Sequence, residues 1–274
     1  YEEAERLIAN HDPDTPMFLY LHFMDVHQYA APPEFQRFGS DARGAYLGAV
    51  RWVDDVLARL RRLLARRGLL DRSVLVLASD HAEAFGENGV SGHARNVLTS
   101  EVAVPLVVRL PFPIQPIRVA SQVRNLDLAP TLLALAGVEA PPDFEGRSLL
   151  PLALGEEAPA DRESFAALGE RLFPDARVQQ AVSDGRWTYA RNLDGGTPTE
   201  LLFDRRVDPG ENVDLVAMEP DAAARLRARL DAHRAGASDA LRRTGVHIDP
   251  GIAERLRALG YLTGDEEAGG EESR

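Results

Sequence analysis

Two residue pairs in the chain could do chemistry together: Asp25 with His27, and Asp80 with His81. A carboxylate beside an imidazole suits a divalent cation of hard or borderline character, and an imidazole can also give or take a proton near neutral pH. Each pair follows a short apolar run, Pro16 to Met24 (PMFLYLHFM) before the first and Val74 to Ala78 (VLVLA) before the second. His93, next to Gly92, lies between the second run and a third at Val104 to Leu110. If the runs are strands of an open α/β sheet, sites form at their carboxyl ends, so both pairs come to one edge and His93 overhangs it. Each residue also has a plainer reading. His27 could cap a loop, Asp80 could cap the segment after its strand, and His22, inside the first run, reads as a core histidine. Ser79, Asp80 and His81 are not a hydrolase triad, because adjacent residues cannot line up as nucleophile, base and orienting group. Two ligands do not complete a coordination sphere, and no HExxH, EF-hand loop, Walker A or GxGxxG sequence supplies the rest.

The elements that would position these residues follow from the apolar pattern. Pro16 to Met24 is bounded by a Pro and an Asp and reads as a strand covered on both faces. From Tyr46 onward, Val50, Val53, Leu57, Leu60 and Leu64 recur at spacings of three and four, which predicts an amphipathic helix closed by Gly68. Arg61, Arg62, Arg66 and Arg67 near its end are ordinary helix chemistry, cations at the negative pole of the dipole. Strand, helix, strand at this spacing is a βαβ unit and implies parallel pairing. Asn125 to Gly137 has Asp127 near its start and Gly137 after its last apolar residue, as in a capped helix. Around Gly155 to Asp161 the composition turns to Gly, Glu, Ala and Pro, marking a boundary. Beyond it, Arg186 to Ala190 and Glu200 to Asp204 read as strands around the turn Asp194-Gly195-Gly196, with helices at Ala222 to His233 and Ile252 to Leu259. The acidic, Gly-rich residues 263–274 read as a disordered tail.

Composition narrows the function classes. A chain of 274 residues with 45% hydrophobic and 27% charged residues is an ordinary globular protein, and at this length it buries roughly 75% of its unfolded surface without staples. Its formal charge of −12 repels nucleic acid and anionic membranes, so an anionic substrate needs a locally positive site. All 31 basic residues are Arg and there is no Cys, which removes disulfides, thiolate metal sites and a Cys nucleophile within these residues. No apolar run approaches the length of a membrane span. The first residue is Tyr1, with no signal segment after it, so the chain reads as a mature form or a piece of a longer protein.

Several strings, taken in order, resemble the sulfatases of the alkaline phosphatase superfamily. They are Phe18 to His27, Ala49 to Asp55, Ser79 to Gly89, Gly92-His93 ahead of Val104 to Val108, Leu126 to Leu133, and Leu201 to Asp204 with Asp208 to Glu211. The resemblance implies an α/β fold, a partial alkaline-phosphatase-like sheet flanked by helices and followed by a small antiparallel sheet and helix. The organisation it implies is 1–157 for the C-terminal part of the catalytic domain, 158–262 for a small α+β subdomain, and 263–274 for the tail. It also implies a metal-dependent sulfuric ester hydrolase in which a divalent cation, usually calcium and otherwise Mg2+, Mn2+ or Zn2+, holds a sulfate ester against a formylglycine made from Cys or Ser. Carried over residue by residue, Asp80 and His81 resemble metal ligands. His27 resembles the histidine that protonates the leaving oxygen, and His93 stands where the family places a Lys or His that binds the transferring group. The implied substrate is a small-molecule or glycan sulfate ester, with no nucleic acid and no membrane segment involved. A periplasmic or extracellular location is implied by the family alone, and the sequence is silent on oligomeric state.

The departures from the family pattern matter as much. Its Cys or Ser followed by x-Pro-x-Arg does not occur; the nearest string, Ile114-Gln115-Pro116-Ile117-Arg118, has Ile114 at the nucleophile position, and the paired Asp ligands that precede that motif are absent too. Ala82 replaces a common Gly, and Val26 a common Pro. The expectation is therefore the C-terminal half of an enzyme, inactive on its own and poor at holding a cation. A phosphonate or phosphodiester hydrolase, or a phosphoethanolamine-type transferase, shares the same Asp-His pair and histidines. A non-catalytic binding module or pseudoenzyme is the alternative of another class, favoured by the missing nucleophile and opposed by the retention of all four site residues.

Overall fold

A computed structural model of the chain describes residues 1–156, 160–169, 179–193 and 199–243. In chain order its elements are α1 (Glu2–Asn10), α2 (Ala42–Arg66), β1 (Leu75–Ala78), β2 (Ala84–Phe85), β3 (Ser91–Gly92), α3 (Thr99–Val102), β4 (Leu106–Arg109), α4 (Leu128–Leu135), α5 (Leu150–Ala153), β5 (Ser164–Leu168), β6 (Gln179–Ser183), β7 (Trp187–Asn192), β8 (Thr199–Asp204) and α6 (Pro220–Arg243). They form a mixed α/β architecture with small antiparallel sheets. The chain divides into two compact units, residues 1–78 with 105–116, and residues 79–104 with 117 onward.

In the first unit the predicted amphipathic helix is α2. Asp41 starts it by accepting the Gly44 N–H at 2.8 Å, and Gly68 ends it at φ +67°, a left-handed conformation that suits glycine. Its buried stripe is Ala49, Val53, Val56, Leu60 and Leu64, so the helix is turned slightly from the predicted face: Val50 is exposed and Leu57 half-buried. Val56, Leu60 and Leu64 pack with Ala4 and Ile8 of α1 and with Leu69. Each of the Val, Leu and Ile side chains, fully buried, stabilises the fold by about 1.5–3 kcal/mol. β1 pairs with β4, and Arg109 at the end of β4 donates to the Leu70 carbonyl at 2.6 Å and to Asp71 at 2.8 Å.

Three expectations are corrected here. The parallel pairing of Pro16 to Met24 with β1 across α2, implied by the βαβ reading, is not found among the described residues; β1 pairs antiparallel with β4 instead. Pro16 to Met24 forms no regular element and pairs with no strand among the described residues. Only part of the segment is covered: Leu19 and Phe23 pack on the α1/α2 cluster, while Phe18 is 82% and Tyr20 75% exposed. Apolar side chains predict burial, but a strand also requires a backbone partner, and that part is not carried by the residues themselves. His22 is exposed, next to the Tyr20 ring, and is not a core histidine.

The second unit holds the four-stranded antiparallel meander β5-β6-β7-β8. The predicted strands near 186–190 and 200–204 are β7 and β8, which pair from Trp187 opposite Asp204 to Asn192 opposite Thr199. Period-two alternation gives this sheet two apolar faces. Val182, Trp187, Tyr189 and Leu202 meet Ala223, Leu226 and Leu230 of α6, the predicted Arg-rich helix. Leu168, Ala181, Ala190 and Phe203 meet Val97 and Leu98. The predicted helix over 125–137 is a single 3-10 turn at Asn125–Asp127 leading into α4, closed by Gly137 at φ +71°. The turn at Asp194, the helix from Ile252, the tail and the boundary at 157–158 lie outside the described residues. No helix among the described residues is long and apolar enough to cross a membrane.

Candidate active site

The second unit brings Asp80, His81 and His93 within one short stretch of structure. Asn88-Gly89 turns a hairpin in which Ala84 faces Gly92 and Phe85 faces Ser91. Asn88 at φ +53°, Gly86 at +114° and Gly89 at +76° are left-handed, the conformation that Asn and Gly tolerate best. Folding the chain here returns His93 to the segment that carries His81, and the two imidazoles stack with centroids 4.3 Å apart.

The Asp80-His81 backbone is held from both sides. Asn125 Nδ2 donates to the Ser79 carbonyl at 2.9 Å, Ser79 Oγ donates to the His81 carbonyl at 2.7 Å, and the His81 N–H donates to Asp80 Oδ1 at 3.1 Å. His81 Nδ1 lies 2.9 Å from the Ala82 carbonyl. A carbonyl oxygen only accepts, so Nδ1 is the donor, which leaves Nε2 of a neutral ring as the nitrogen that can ligate a metal. With the exposed Asp80 carboxylate adjacent, the donor set suits a divalent cation.

Two carboxylates behind these histidines were not singled out in the sequence. Glu83 Oε2 lies 3.0 Å from His93 Nδ1, and the Glu83 side chain is only 4% exposed. Glu101, 3% exposed, accepts the Arg95 N–H at 2.9 Å and the Asn96 N–H at 3.0 Å, while its own carbonyl accepts the Ala82 N–H at 2.8 Å. Burial pushes the Glu101 carboxyl above its usual range, against the opposing pull of those two amides and of His93. The observed hairpin is centred on Asn88, and that register places residue 83 opposite residue 93.

The loop is also stapled to a distant part of the same unit. Asn88 Nδ2 donates to the Glu211 carbonyl at 2.8 Å, and Glu211 Oε2 accepts the Thr99 N–H at 2.7 Å. Glu211 is 1% exposed. Glu211→Ala leaves the Thr99 amide without its acceptor and is expected to cost about 1–3 kcal/mol. Native-state hydrogen exchange should show faster exchange across residues 86–102 in that variant.

His27 belongs to the first unit, where it is exposed on the turn after Met24. The Gln28 N–H donates to the Met24 carbonyl at 2.9 Å, and the Ala30 N–H to the Asp25 carbonyl at 2.8 Å. Asp25 does not point outward as a free carboxylate. It accepts from the Trp52 indole N–H of α2 at 3.2 Å and from the Tyr1 hydroxyl, so its role is to pin the His27 turn onto the helix. Burial and the Asp25 acceptor push the Tyr1 hydroxyl up to about 12.

Comparison with known proteins bears on these residues. The Sulfatase family model matches residues 1–138, and the model for N-sulphoglucosamine sulphohydrolase, C-terminal, matches residues 86–235. The steryl-sulfatase of Mus musculus is 30% identical over 260 residues, covering 81% of this chain and 41% of its own length. A protein solved in complex with its substrate D-glucosamine-2-N,6-O-disulfate is 25% identical with a TM-score of 0.60, over 72% of this chain and 41% of that one. The phosphonate monoester hydrolase of Silicibacter pomeroyi is 28% identical with a TM-score of 0.59, over 70% and 40%. The chain spans less than half the length of the curated relatives it matches first. The family match runs through the His27 turn, the Asp80-His81 pair and the His93 hairpin alike, and by it the chain belongs to the sulfatase family.

Proposed function

We propose that the full-length protein hydrolyses a sulfate ester of a small molecule or glycan, and that this chain supplies part of the site. In this reading Asp80 and His81 hold a divalent cation, calcium in the first instance. Bound there, the cation neutralises charge gathering on the transferring group. His93 donates to an oxygen of that group. His27 gives a proton to the leaving oxygen, for which an imidazole is suited near neutral pH. The nucleophile, of the formylglycine type, is carried by residues outside this sequence. The observation that carries the reading is the His81 ring, whose Nδ1 proton is committed to the Ala82 carbonyl beside Asp80 and which stacks on His93.

A second reading has its own support, the 28% identity to a phosphonate monoester hydrolase. The two are separated by kcat/KM of the full-length protein on 4-nitrophenyl sulfate and on a 4-nitrophenyl phosphonate monoester, measured side by side. The sulfate reading predicts a preference of at least about 100-fold for sulfate, about 2.7 kcal/mol of differential transition-state binding. The reverse preference would assign the protein to phosphonate chemistry. Turnover of neither ester would favour the non-catalytic reading.

A further inference from the structure

We propose that Glu83 is the positioning residue for His93: its buried carboxylate fixes the imidazole and keeps the proton on Nδ1, so that Nε2 is the atom His93 presents to its ligand. What that ligand is rests on the sulfate-ester reading above; the pairing itself does not.

The register of the hairpin carries the first part of the argument. Ala84 faces Gly92, so the next pair outward is Glu83 with His93, directly across the ladder. Glu83 Oε2 and His93 Nδ1 are 3.0 Å apart, a normal hydrogen-bond length. A carboxylate oxygen set against Nδ1 at this length is read as its acceptor, with Nδ1 the donor. His93 lies between Gly92 at φ +92° and Ala94 at φ +56°, which fixes its backbone from both sides. The freedom left is in the side-chain torsions, and the bond to Glu83 removes it. Glu101 holds the backbone just beyond, through the amides of Arg95 and Asn96, and so braces the same turn.

Stability alone does not account for a carboxylate here. A side chain that is 4% exposed loses most of its hydration, and replacing a buried ionic group with an apolar one of similar volume is often neutral or stabilising. An acceptor aimed at one nitrogen of one histidine is what a site needs when the opposite nitrogen must face a ligand, the same outer-shell logic that orients metal-ligating histidines.

The test uses the full-length protein with 15N-labelled histidine, read by long-range proton–nitrogen correlation at about pH 9, above the ordinary imidazole pKa. The wild type should show His93 with its proton on Nδ1. Glu83→Met, which keeps the volume and removes the acceptor, should fold and shift His93 toward the Nε2–H form. Glu83→Gln, which keeps an accepting oxygen, should retain the Nδ1 proton. Turnover of 4-nitrophenyl sulfate should fall about 10–100-fold in the Met variant, mainly in kcat, and be restored largely by Gln. Glu83→Leu serves as a second acceptor-free variant if the Met protein does not fold. A wild type without the Nδ1 proton overturns the proposal outright, as do Met and Gln variants that behave alike. A wild type with the Nδ1 proton but no sulfate turnover supports the pair and overturns the sulfate-ester reading.

Discussion

Asp80→Ala is expected to abolish metal-dependent turnover in the full-length protein while leaving the fold in place. The Asp80 carboxylate is exposed, and the His81 N–H is a neighbour on its own backbone. An exposed position of this kind changes stability by less than about 1 kcal/mol when truncated. Its effect should instead appear at the cation. Loss of an outer-shell partner of a metal site already costs up to about 100-fold, and a direct ligand should cost at least that much. Titration of the chelated protein with calcium, followed by turnover of 4-nitrophenyl sulfate, should show recovery in the wild type and none in Asp80→Ala at matched cation. Full recovery in the variant would remove Asp80 from the metal site.

Asp127→Ala should have the largest effect on stability. The carboxylate is fully buried, yet it accepts the Arg124 N–H at 3.0 Å, the Arg147 N–H at 3.0 Å and the Arg162 guanidinium at 2.8 Å. Gly146 makes the approach possible, because a Cβ there would lie 1.8 Å from the Leu126 carbonyl oxygen. Removing the carboxylate strands the mostly buried Arg162 guanidinium and two amides, and breaking a buried ion pair from one side costs about 3–5 kcal/mol. Burial alone would raise the Asp127 pKa, but the Arg147 amide, the Arg162 guanidinium and the Arg124 amide outweigh it and hold the group below the usual carboxylate value. A pKa depressed by folding contributes stability above the unfolded value of about 3.9, and loses it as pH falls through the folded value. Urea unfolding of the wild type and Asp127→Asn should therefore differ by a constant amount from neutral pH to about pH 5, with the gap closing below about pH 4. A gap that persists undiminished in acid would mean that the charge on Asp127 is not what holds this junction.

How much of this was readable from the residues depends on what each element needs. α2 and α6 bury one face, and β7 and β8 both faces, against elements within the described structure, so their apolar pattern was sufficient. Asp127 was visible as a helix-start residue, but its two arginine loops, at Arg147 and Arg162, are 20 and 35 residues away, and no local pattern reports them. Pro16 to Met24 failed as a strand for the opposite reason: the side chains have strand character, and the backbone partner does not lie in the described residues. At the site, Asp80, His81 and His93 announced themselves by residue type. Glu83 did not, since a glutamate in a charged chain is unremarked until the Asn88-Gly89 turn is folded and sets it against His93. Asp25 was grouped with His27 as chemistry, whereas its contacts to Trp52 and Tyr1 make it the anchor of the turn.

Cleavage of sulfate esters by the full-length protein is expected to depend on a cation held at Asp80 and His81. The most direct measurement is release of inorganic sulfate from 4-nitrophenyl sulfate by that protein, before chelation, after chelation and after calcium is restored. The account predicts turnover that is lost on chelation and regained with calcium in the wild type, and absent throughout in Asp80→Ala. Sulfate release that is indifferent to chelation, or equal in the two proteins, would contradict it.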